Sequence, residues 1–408
     1  MGLSAAGQNA AEPIGRHIQL TAYSGLLVKS QRMHQESLSM RYRDLTTTIH
    51  CPEMPLSSFV NRRLGNGHCV ILQSNRLLSC PVQVPPATMI SDSQRNEVWQ
   101  RLLTGKSLAD LSLPKRNGRT DLSGLMLPEP KALERWHTPL GNVERFEPNA
   151  SLRRAKWRDI DFSESKLHSI CFEESEISNC CFDRCELRNL RLWATTIQDC
   201  SFCGADLRES GLGLATIEGP LSGRRNKFVN VEFAKADLRN TVYVAAAFER
   251  CSFRFGKLIN ILFGTSTFVD CTFEGELREV RFWRSDLSTR GFPTDAFPPN
   301  EMINVDFSHA KLRDVEFRGL TLDRVRLPSD ADHIVIEDFA GVLDRLISAL
   351  TQQHDQTAKI LVAYLSAYRK WTVPGARGVL NKQDLADIGP GIVERLLELL
   401  ASFPRNVN

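Results

Sequence analysis

Residues 152–217 read LRRAKWRDIDFSESKLHSICFEESEISNCCFDRCELRNLRLWATTIQDCSFCGADLRESGLGLATI. Counting in fives from Leu152 meets Trp157, Phe162, Leu167, Phe172, Ile177, Phe182, Leu187, Leu192, Ile197, Phe202, Leu207, Leu212 and Ile217, all apolar. At the chain's 42% hydrophobic content, such a run in some one of five phases arises by chance roughly a few times in 10^5, so the period is real. Two residues before most centres stands a small or β-branched residue: Ala155, Ile160, Ser165, Ile170, Ser175, Cys180, Cys185, Thr195, Cys200, Ala205 and Ser210, with Leu190 the bulky exception. A period of five fits neither the 3.6 of an α-helix nor the 2 of a flat strand. It fits a four-sided coil whose sides each point a centre and a small residue inward, then turn a corner.

Four such sides make a 20-residue coil, so residues 20 apart should stack at about the 4.8 Å strand spacing. Phe162, Phe182 and Phe202 are expected in one column, Leu167, Leu187 and Leu207 in another, and Trp157, Ile177, Ile197 and Ile217 in a third. The pattern resumes at Phe228 and runs by fives to Phe273, skips one residue, continues through Leu277, Phe282, Leu287 and Phe292, and ends with Phe307, Leu312, Phe317, Leu322 and Leu327. Eight coils would stand about 40 Å tall. Gly204-Ala205-Asp206-Leu207-Arg208, Lys235-Ala236-Asp237-Leu238-Arg239 and His309-Ala310-Lys311-Leu312-Arg313 resemble the pentapeptide-repeat family, whose consensus is Ala-(Asp/Asn)-Leu-x-x. The resemblance covers about 45% of the chain. It implies an all-β solenoid, a right-handed quadrilateral β-helix, but no single function, because a fold hosts many. Some members imitate duplex DNA and protect type II topoisomerases such as gyrase, altering antibiotic sensitivity; others are secreted bacterial effectors.

Outward from the repeats, Gly219 to Arg225 and Pro293 to Asn304 break the count and are expected as loops, a usual place for recognition. The open ends of a solenoid expose strand edges that must be covered. Ser91 or Asp92 can N-cap a helix through Leu103, with Val98, Leu102 and Leu103 on one face, and a first irregular coil is expected from about Leu108. Helices are expected at Glu337–Leu350, Gln356–Trp371 and Ile392–Ser402, capping the other end and offering a homodimer surface. The organisation expected is a weakly ordered segment over 1–88, a helical cap and irregular coil over 89–150, the β-helix over 151–328 and an α-helical region over 329–408. Met89, just before a helix signal, is an alternative start, and residues 1–88 could instead be an export leader.

The net charge of +3 and the alternation of signs point away from direct nucleic-acid binding, and no apolar run is long enough to cross a membrane. Residues 151–328 carry 26 acidic and 26 basic side chains, whereas a duplex mimic needs a strongly negative surface. Glu173, Glu174 and Glu176 form one acidic cluster, faced by Arg153, Arg154, Lys156 and Arg158 of the previous coil. The eleven cysteines are read as reduced packing residues of a cytoplasmic protein; Cys180 and Cys200, and Cys251 and Cys271, should stack as free thiols. No zinc-protease motif, phosphate-binding loop or dinucleotide fingerprint occurs, so no cofactor, metal or catalytic residue is assigned and the chain is not read as an enzyme. The expected function is a scaffold for another protein. The candidate contacts are Arg191, Trp193, Arg281, Trp283 and Arg284, which lie beside inward centres and should therefore face out; Trp and Arg dominate interface hot spots.

Overall fold

The computed structural model describes residues 91–127, 132–138, 141–146, 148–213, 224–284 and 298–403. The expected segment 1–88, Met89, Ile217, Leu287, Phe292 and most of the loop from Gly219 lie outside the described residues.

The repeat folds as a β-helix of stacked parallel strands. On the first face Leu152 pairs with Phe172 and Phe172 with Leu192; farther up, Tyr243 pairs with Phe263, Phe263 with Phe282 and Phe282 with Phe317. On the second, Trp157, Ile177 and Ile197 are in register. The third is an aromatic column: Phe162, Phe182, Phe202, Phe233, Phe253, Phe273 and Phe307 stack with centroids 4.7–5.4 Å apart. The fourth is leucine: Leu167, Leu187, Leu207, Leu238, Leu258, Leu277 and Leu312, all at most 2% exposed. Offset stacking adds to the burial of each ring, which is why the same residue type recurs coil after coil.

The corners explain the other positions. The residue two past most centres takes positive φ, as at Arg154, Asp159, Glu164, Ser169, Glu174 and Asn179. On the third and fourth faces the centre carbonyl then accepts from the amide three residues on, as in Ser165 N to Phe162 O and Leu190 N to Leu187 O, the signature of a type II turn. The next residue, small in the sequence, points inward at the corner. Polar examples are satisfied locally: Ser175 Oγ donates to Glu173 O at 2.9 Å, and Cys185 Sγ to Phe162 O at 2.7 Å. Serine, threonine, cysteine and alanine are therefore interchangeable there.

Three features depart from the simple count. Ile197 pairs with Phe228, so Phe228 continues the third expected column, in which counting by fives had put Ile217. Gly213 sits at a bulge in this region, where a Cβ would lie 2.6 Å from the Val244 amide nitrogen. Met302, expected within a loop, is 1% exposed: Ile303 donates to the Phe268 carbonyl, so Met302 extends the second face. At the start, Thr120 pairs with Ile160 and Leu127 donates to Lys166 O, so the first in-register coil lies before the run that begins at Leu152. Between them, Ala132–Thr138 and Gly141–Phe146 form a two-stranded sheet of their own.

Helix α1 (Asp92–Thr104) has Ser91 as N-cap, closing a capping box with Gln94. Its Val98 and Leu102 join the core of the first coils. The C-terminal region contains α2 (Phe339–Thr351), α3 (Gln356–Arg369), α4 (Lys382–Ile388) and α5 (Ile392–Ser402) around a second core. Three of these helices match expectation within a few residues. Helix α4 was not anticipated, nor was the antiparallel pair His333–Ile336 and Gly378–Asn381.

Candidate interaction surface

Because strands alternate, the residues beside each centre face out. On the first face these are Arg191 and Trp193, Gly211 and Gly213, Val242 and Val244, Leu262 and Gly264, and Arg281 and Trp283. Arg191 and Trp193 are half-buried, and Arg284, at the following corner, is exposed. Arg191 is held against the wall by donating to the Glu209 carbonyl at 2.7 Å.

The expectation that Arg281 and Trp283 are exposed is corrected: they are 6% and 8% exposed. Alternation fixed their direction, but not what lies over them. The Arg318 guanidinium stacks 4.9 Å from the Trp283 ring centre and 4.7 Å from that of Trp371, which follows α3. Trp283 is thus part of a cation–π clasp between the wall and the C-terminal region. Val242 and Leu262 also point outward and are buried. The five candidates do not form one open patch.

The acidic cluster is neutralised. Arg153, Arg224 and Arg154 reach Glu174 at 2.9, 3.0 and 3.3 Å, Arg153 lies 3.5 Å from Glu173, and Lys156 lies 3.7 Å from Glu176. Hydrogen bonds from Arg153 foremost, then Arg224 and Arg154, hold the Glu174 carboxyl down at about 2. Arg224 belongs to a break in the count, so its arrival could not be read from the period. The fourth face is an ionic ladder: Arg208 chelates Asp206 and Arg239 chelates Asp237, each through two hydrogen bonds of 2.7–2.8 Å, and Lys257 reaches Asp237 at 3.4 Å.

Each outward row, inward column and corner repeats on the same five-residue unit, four units to a coil. The chain folds as a β-helix of five-residue repeats. No protein-family model matches it, and no curated protein does. Among solved structures it is similar to HetL, a pentapeptide-repeat protein involved in heterocyst differentiation regulation from the cyanobacterium Nostoc sp. strain PCC 7120, at 16% identity and a TM-score of 0.21, covering 44% of this chain and 85% of that one. It is also similar to full-length QnrB1, a plasmid-mediated fluoroquinolone resistance protein, at 14% identity and a TM-score of 0.18, covering 52% and 94%. A third similar structure is Rfr23 from the cyanobacterium Cyanothece 51142, at 16% identity and a TM-score of 0.13, covering 30% and 82%.

The cysteines are free among the described residues. Cys180 and Cys200 stack as expected, the Cys180 amide lying 3.4 Å from the Cys200 sulfur. The hydrogen bond to Cys200 and burial together raise the Cys180 thiol, and burial raises Cys181 and Cys185, which leaves them protonated and unreactive. No group of three or more metal-ligating side chains occurs among the described residues, and no described helix is long and apolar enough to cross a membrane. Two exposed apolar residues, Met126 and Phe255, escaped the sequence reading. Phe255 occupies a corner, where counting centres gives no reason to look; an aromatic at a polar position was the available signal.

Proposed function

We propose that this protein is a non-enzymatic cytoplasmic scaffold that binds another protein through the outer walls of its β-helix. The observation that supports this over duplex mimicry is the pairing of the wall carboxylates. A mimic must present unpaired negative charge to a basic groove, whereas Glu173, Glu174 and Glu176 are each met by arginine or lysine of this chain. The free thiols fit a reducing compartment. Arg191, Trp193 and Arg284 remain the candidate contacts on the first face, and α5, with Leu397 38% exposed, is the candidate surface for a second copy.

The test is capture from the native cell with wild type and Trp193→Ala as paired baits, followed by titration of the purified partner. A protein contact centred on Trp193 should weaken about tenfold or more in the variant. Its affinity should change little between about 50 and 200 mM salt, where a ligand replacing many phosphates would lose about 10^3-fold or more. Protection of gyrase from a quinolone, abolished by neutralising Glu173, Glu174 and Glu176, would replace this reading with the mimic.

A further inference from the structure

Phe255 is 63% exposed and has φ of 53°, and it is the only aromatic with positive φ among the described residues. Left-handed backbone is unfavourable for a bulky side chain, and an exposed ring recovers little by burial. Both terms oppose folding, so the residue calls for an explanation outside the fold. Its surroundings are arranged to present it. Gly275, one coil above, has φ of +89°, and a Cβ there would lie 3.2 Å from Phe255 Cα and 3.3 Å from its Cδ1, so glycine keeps the space beside the ring open. The one-residue skip in the repeat falls here, between the pairs Phe253–Phe273 and Leu258–Leu277.

Three exposed cations occupy neighbouring positions of the repeat. Lys235 occupies the same corner one coil below, and Arg254 and Lys257 flank Phe255 on the third and fourth faces. Their carboxylate partners lie deeper: Glu232 is 30% exposed against 47% for Arg254, and Asp237 is 14% exposed against 62% for Lys257. On the coil above, Glu274 stands over Arg254 and is half-buried, and Glu276, 45% exposed, pairs with Arg278. On the coil of Phe255 and the one below it, positive charge is therefore outermost beside an apolar knob.

We infer that Phe255 anchors a protein partner that offers an apolar socket rimmed by carboxylates, an inference that rests on the scaffold reading and moves its centre to the corner between the third and fourth faces. An aromatic desolvated in a socket supplies hot-spot affinity, and the surrounding charges set orientation and association rate.

Two measurements test it. Phe255→Asn, which suits left-handed backbone, should leave the melting temperature unchanged or higher; a lower one would make the ring a structural cover for Gly275 and overturn the inference. A random peptide library panned on the full chain should enrich sequences that combine apolar residues with Asp or Glu. These should bind Phe255→Asn at least tenfold more weakly and Met126→Ala, a change at an exposed apolar residue of the first coil, with undiminished affinity. Peptides indifferent to Phe255 but lost in Trp193→Ala would overturn the anchor and leave the scaffold standing, whereas a library that enriches nothing would count against both.

Discussion

Leu167 and Leu312 hold the same repeat position on the fourth face, yet their amides meet different acceptors. Inside the stack, Leu167 and Ser169 donate to the Glu186 and Arg188 carbonyls of the next coil at 2.8 and 2.9 Å. At the last coil, Leu312 donates to His333 Nε2 at 3.1 Å and Asp314 to Asp384 Oδ2 at 2.8 Å. On the first face, the Gly319 amide goes to the Trp371 carbonyl at 2.9 Å. The terminal region thus supplies, atom for atom, the acceptors that a further coil would have provided, and the edge is closed to pairing with another chain. Inside the stack the acceptor is backbone and indifferent to sequence; at the end of the fourth face it is a particular side chain. Stability should accordingly be spread over many equivalent columns within the coils and concentrated in a few residues at the cap.

The largest effect is expected in the aromatic column. Phe182 is 3% exposed between Phe162 and Phe202, at 5.3 and 4.8 Å, and Phe182→Ala should cost about 3–5 kcal/mol in denaturant unfolding. A loss below about 1 kcal/mol would show that neighbouring coils can collapse into the gap.

Next in size is the cap. His333 Nδ1 lies 2.8 Å from Asp330, and Nε2 takes the Leu312 and Asn381 donors, so the network places the proton on Nδ1. His333→Leu should leave the Leu312 amide without an acceptor and cost about 1–3 kcal/mol. Asp384→Asn separates two roles. The amide oxygen still accepts from Asp314, but the ion pair with Arg313 at 2.7 Å is lost, so it should cost less than Asp384→Ala in the same thermal unfolding measurement. Equal costs would place the value of Asp384 in charge and not in edge closure.

A smaller effect is expected at the clasp. Arg318→Ala should cost about 0.5–2 kcal/mol and expose the Trp283 and Trp371 rings, seen as a red shift of tryptophan emission. The smallest effect is in acid. Glu174 sits well below its usual 4.5, so its contribution is complete above that value and fades as pH falls toward about 2. Glu174→Gln should flatten the acid-unfolding curve in that window alone.

The inward half of the molecule was legible because a column needs only that residues 20 apart agree in size and polarity. Phe182 and Phe202 could be stacked without coordinates for that reason. Where the count breaks, the arithmetic fails: Phe228 stands in the column that counting gives to Ile217, and Met302, counted within a loop, lies inside. The outward half was legible only in direction. Trp193 and Trp283 have the same place in the repeat, but one is half-buried and the other is covered with Arg318 on its face.

The sequence by itself determined the coil, its four columns, the small inward residues and the helices that flank it, because all of these follow from periodic burial along the chain. The tertiary structure alone decided which side chains end the stack, which carboxylates are neutralised and which aromatics remain in solvent. Those outcomes depend on contacts such as Leu312 with His333, Arg313 with Asp384, and Arg224 with Glu174, whose partners lie at separations no repeat dictates.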